Sequence, residues 1–80
     1  MKAMVKTTKL SIDDIVKKAK DYFIGNLGLK LIEQTDSCCL LFQSTLGYVD
    51  VQIFDNRDCR EVNLTTREYE YLIQDFLGTI

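Results

Sequence analysis

Cys38, Cys39 and Cys59 carry the most reactive side chains in this 80-residue sequence. A thiol attacks carbon or binds metal only as the thiolate, which requires a neighbouring cation, a helix N-terminus or a metal to stabilise the charge. Consecutive strand residues point to opposite faces, so Cys38 and Cys39 are expected to send one thiol into a core and the other outward. Side by side, they cannot close an ordinary disulfide without distorting the backbone. None of the three belongs to a Cys-x-x-Cys pair, and three cysteines in a chain without histidine lack the spacing of a structural zinc site. They read as small buried hydrophobes with one incidental thiol. Their odd number and lack of framework spacing fit a reducing compartment.

The missing histidine also removes the commonest general base near neutral pH. Asp50, Asp55, Asp58 and Glu61 are close enough in sequence to gather at one end of a sheet around a cation. No EF-hand-like order arranges them, however, and they read as solvated turn and strand positions. Gly25-Asn26-Leu27-Gly28 follows a helical pattern, whereas a phosphate loop runs from a strand into a helix N-terminus, so these glycines read as a helix stop. No catalytic, cofactor-binding or metal-binding residue is assigned, no cofactor is expected, and the chain is not expected to be an enzyme.

Lys17-Lys18-Ala19-Lys20 resembles, over four residues, the lysine-rich patch of double-stranded RNA-binding domains, which also combine two helices with a sheet. In that family the patch opens the last helix, and here that place is held by Thr66-Arg67-Glu68. The formal charge of −2 supplies no basic field for a polyanion. Nucleic acid is therefore not an expected partner. Three lysines, Lys2, Lys6 and Lys9, do cluster in the first ten residues, which otherwise show no strong pattern and read as an N-terminal arm. No apolar run approaches the roughly 18 residues needed to span a bilayer, and no signal-peptide core is present. The expected location is cytoplasmic, away from membranes.

The elements that would position these residues are set by hydrophobic spacing. Ser11 is placed to cap a helix, with Asp13 and Asp14 in its first turn. Ile12, Ile15, Val16, Ala19, Tyr22 and Phe23 make one apolar stripe ending near Ile24. A strand follows from Leu29 to Gln34, then the apolar run 38–43, a turn at Ser44-Thr45-Leu46-Gly47, and the alternating strand Tyr48-Val49-Asp50-Val51-Gln52-Ile53-Phe54. Asp55-Asn56-Arg57-Asp58 turns the chain into a fourth strand at 59–64, which Arg60 marks as an edge or as running past the core. Thr65-Thr66-Arg67-Glu68 matches a capping box for a last helix with Tyr69, Leu72, Ile73, Phe76 and Leu77 inward and Gly78 at its end.

The expected fold is α+β and two-layered: a helix, a four-stranded antiparallel meander and a helix, both helices on one face of the sheet. Residues 1–10 are the arm and 11–80 a single domain. With Val49, Val51 and Ile53 turned toward the helices, the other face of the sheet collects Ile32, Cys39, Leu41, Tyr48, Gln52 and Phe54. That face is more apolar than a fully hydrated sheet usually presents. A domain this small buries only about 60% of its unfolded surface, so covering such a face would add to a thin core. The expectation is a non-enzymatic protein-interaction domain that associates with itself or another protein through the open face or an edge strand. The alternatives are a small-molecule site between helices and sheet, lined by Tyr22, Phe42 and Tyr69, and a thiol-dependent enzyme or redox sensor.

Overall fold

The computed structural model describes residues 2–35 and 39–80. The helix α1 (Ile12–Lys20) begins where Ser11 Oγ accepts the Asp14 N–H at 3.2 Å, with Asp13 and Asp14 beside the positive end of the helix dipole. It runs on as a π-helical turn over Asp21–Asn26, beyond the expected stop at Ile24. Gly28 then adopts φ +71°, and its N–H bonds the Ile24 carbonyl at 3.1 Å. The missing Cβ makes that left-handed turn inexpensive, which is why the helix stops here.

Five strands form one antiparallel sheet: β1 (Lys2–Thr8), β2 (Lys30–Thr35), β3 (Cys39–Gln43), β4 (Tyr48–Asp55) and β5 (Arg60–Arg67), in the order β1-β5-β4-β3-β2. The second helix, α2 (Glu70–Leu77), returns over the same face as α1. Leu40, Phe42, Val49, Val51, Ile53, Val62 and Leu64 project from the strands into a core completed by Ile15, Ala19 and Phe23 from the first helix and its π turn, and by Ile73, Phe76 and Leu77 from α2. At its centre the Phe23 ring lies 5.2 Å from Phe42 and 5.1 Å from Phe76 between centroids. Tyr22 stands edge-on to Phe23 at 5.2 Å. Burying rings of this size contributes about 1.5–3 kcal/mol each.

The sheet departs from the expected one in three places. Lys2–Thr8 is no arm but an edge strand, paired along its whole length with β5 from Lys2↔Thr66 to Thr8↔Arg60. The order is therefore strand, helix, four strands, helix, with α1 carrying the chain from one edge of the sheet to the other. The cluster of lysines hid this strand, and Lys6 shows how it is accommodated. Its stem lies on the helix side, while Nζ reaches the Leu77 carbonyl at 2.7 Å, where a cation suits the C-terminus of α2.

The fourth predicted strand is not an edge, because β1 lies outside it. Arg60 is tolerated at its start because Nε donates to the Leu10 carbonyl and an Nη to the Lys9 carbonyl, both at 2.7 Å. Nor is there a capping box at Thr65. Strand β5 continues through Arg67, with the Thr66 hydroxyl buried and donating to the Tyr48 carbonyl at 2.7 Å. Glu68 turns the chain with φ 79°, and α2 starts at Glu70 without a side-chain cap. The 44–47 hairpin is closed by Ser44 N–H to Gly47 C=O at 2.9 Å. A Cβ on Gly47 would meet the Arg67 carbonyl oxygen at 2.1 Å, so only glycine fits there.

Candidate interaction face

Pleating sends alternate residues of every strand away from the helices, and the antiparallel registers arrange them in rows across the sheet. One end row is Arg67, Tyr48, Gln43 and Lys30. Next comes Ala3, Thr65, Asp50, Leu41 and Glu33, and then Val5, Asn63, Gln52, Cys39 and Thr35. The far row holds Thr7, Glu61 and Phe54. No helix covers this side: both pack on the opposite face.

The predicted face residues Cys39, Leu41, Tyr48, Gln52 and Phe54 all lie here, on the two middle strands of the hairpin. Tyr48 and Phe54 stand in opposite end rows. Ile32 belongs to the same side by a different route. The register shifts between Leu31 and Glu33, so Ile32 is the extra residue of a β-bulge on the β2 edge and is 55% exposed. It lines a shallow hollow of about 450 Å³ with Lys30, Gln43, Ser44 and Thr45. Sequence reading missed Val5, 59% exposed on the outer side of β1, because the arm was not taken as a strand. The alternation of Met4 and Lys6 against Val5 and Thr7 was the signal present.

The face is mixed in character. Phe54 is 46% exposed, while Cys39, Leu41 and Tyr48 are half-buried among polar neighbours. Its charges are unevenly placed: Arg67 and Lys30 hold one end row, and Glu33, Asp50 and Glu61 lie in the others. Partial burial pushes the Asp50 carboxyl above its ordinary value of 3.8, and the charge of Glu33 adds to the rise. Glu61 accepts from the Asn63 side-chain amide at 3.3 Å.

The residues considered for other chemistry are not brought together. Asp55 pairs with Arg60 at 3.4 Å at the strand end, Asp58 sits in the exposed turn, and Asp50 and Glu61 occupy separate rows. Among the described cysteines, Cys59 is a free and partly exposed thiol, while the Cys39 sulfur is already engaged in a bond. Cys39 is the outward-facing strand residue, its neighbour Leu40 being buried. Cys38, and with it any statement about the adjacent pair, lies outside the described residues. Phe42 and Tyr22 pack within the aromatic cluster, and the Tyr69 hydroxyl meets Ser44 Oγ, so these three side chains fill the space between helices and sheet. Among the described residues no helix is long and apolar enough to cross a membrane.

Comparison with protein-family models gives no match to this chain, and comparison with curated proteins gives none either.

Proposed function

We propose that this chain is a non-enzymatic protein-association domain that works through the helix-free face of its sheet, with a second copy of itself as the partner. The observation carrying this reading is that Val5, Leu41, Tyr48 and Phe54 present apolar surface on a sheet whose other side already holds a complete core. Apolar groups distributed over one uncovered face, here interspersed with Asp50 and flanked by Arg67 and Glu61, suit an interface of mixed polarity. The two edges support the face over the edges as the site. The β2 edge is interrupted by the Ile32 bulge, and the β1 edge carries the inward-pointing Lys6, both devices that discourage strand addition. The ligand-site alternative is disfavoured because Tyr22 and Phe42 are taken up in the aromatic cluster and Tyr69 packs against the core with its hydroxyl on Ser44.

Sedimentation across a concentration series tests the reading. The expected result is a reversible monomer–dimer equilibrium that Phe54→Glu shifts to monomer without lowering thermal stability measured in dilute solution. A parent chain that stays monomeric at every concentration overturns self-association through this face.

A further inference from the structure

The rows of the outer face carry a polarity that specifies how two copies meet, and this inference rests on the self-association reading above. We propose that the pair is related by a two-fold axis running across the strands, between the Asp50 and Gln52 rows, so that each β4 lies antiparallel over its counterpart. This axis exchanges the end rows and the middle rows. Arg67 then lies opposite Glu61 of the second copy, Tyr48 opposite Phe54, Leu41 opposite Cys39, and Asp50 opposite the neutral Gln52. Every charge on these two strands meets an opposite or a neutral group, and the bulky aromatic groups meet one another.

The contrasting two-fold arrangement that also keeps the strands aligned has its axis along them. With that axis on β4, it lays Asp50 on Asp50 and Tyr48 on Tyr48, and it leaves Arg67 over Gln43 with no anion. A carboxylate already held above its usual range by partial burial and by Glu33 would face a further like charge. Like-charge juxtaposition at a covered surface opposes association, which argues against an along-strand axis on β4. The size of the face agrees with a modest complex. Five strands at about 4.8 Å spacing and four rows give a patch of roughly 500 Å² per copy, and about 1,000 Å² in all is the lower bound for a specific interface.

Charge reversal separates this arrangement from association in general. Arg67→Glu and Glu61→Arg are each expected to weaken dimerisation about ten-fold, since symmetry places the altered contact twice in each dimer, at up to about 1 kcal/mol per exposed pair. The double variant, with the pair inverted, is expected to return to within about three-fold of the parent, and the coupling is expected to fade in high salt. Thermal melts in dilute solution keep folding out of the comparison. If the parent dimerises but the double variant is no better than the weaker single, the cross-strand axis is wrong while self-association stands. If the parent never dimerises, both fall.

Discussion

The two faces of the same strands have been put to different uses. On β4, Val49, Val51 and Ile53 are almost wholly removed from water, while Tyr48, Asp50, Gln52 and Phe54 on the other side keep part or most of their exposure. On β1 the split recurs with less contrast: Met4 packs on the core and Lys6 reaches a helix end, while Val5 faces outward. The inner face holds the fold together by close packing of apolar side chains. The outer face contributes little to that packing, which leaves its residue types free to be set by what they meet.

The sharpest way to break this division is to truncate one ring on each side. Phe23→Ala, which empties the centre of the aromatic cluster, is expected to cost about 3–5 kcal/mol in urea unfolding. Phe54→Ala, in solution dilute enough to be monomeric, is expected to stay within about 0.5 kcal/mol of the parent. Equal losses would show that the outer face is part of the folding core. Next in size, Lys6→Met removes the cation at the α2 C-terminus and is expected to cost about 1 kcal/mol, while Val5→Thr on the same strand leaves unfolding unchanged.

The smallest effect belongs to Asp50. A carboxyl whose folded-state pKa is raised binds its proton more readily in the folded chain than in the unfolded one. Its charge therefore opposes folding at neutral pH, and the opposition disappears as pH falls below the ordinary value of 3.8. Asp50→Asn is expected to unfold at slightly higher denaturant than the parent at neutral pH, with the advantage vanishing in acid. An advantage that grows toward low pH would reverse the sign assigned to this group.

Much of the inner face was legible in the residues themselves. The stripe Ile15, Ala19, Phe23 and the alternation from Tyr48 to Phe54 announce a helix and a strand because their periods differ and each has one apolar side. The meander of the last four strands followed from short polar turns. What escaped was decided by contacts distant in sequence. Lys6 looked like a solvated charge because its acceptor, the Leu77 carbonyl, lies at the other end of the chain. Thr65 and Glu68 spelled a helix cap, but pairing with β1 and β4 and the Thr66 bond to Tyr48 kept the chain extended through Arg67. The bulge at Ile32 left no mark, since the leucines at 29 and 31 lie before it and fix only the inward side of the strand's start. The residues of β3 and β4 expected to point away from the helices do so, and the outward set was incomplete on β1 for the same reason that β1 was missed.

The pairing of β1 with β5 also bears on when this domain can form. Lys2 waits for Thr66 and Thr8 for Arg60, so β1 has its place in the sheet only after β5 has been made. Closing so long a loop comes late on entropic grounds as well. Until then Met4 has nowhere to dock, and a nascent chain shorter than β5 holds an unfinished sheet whose exposed border is β4 rather than the lysine-bearing strand that finally guards it.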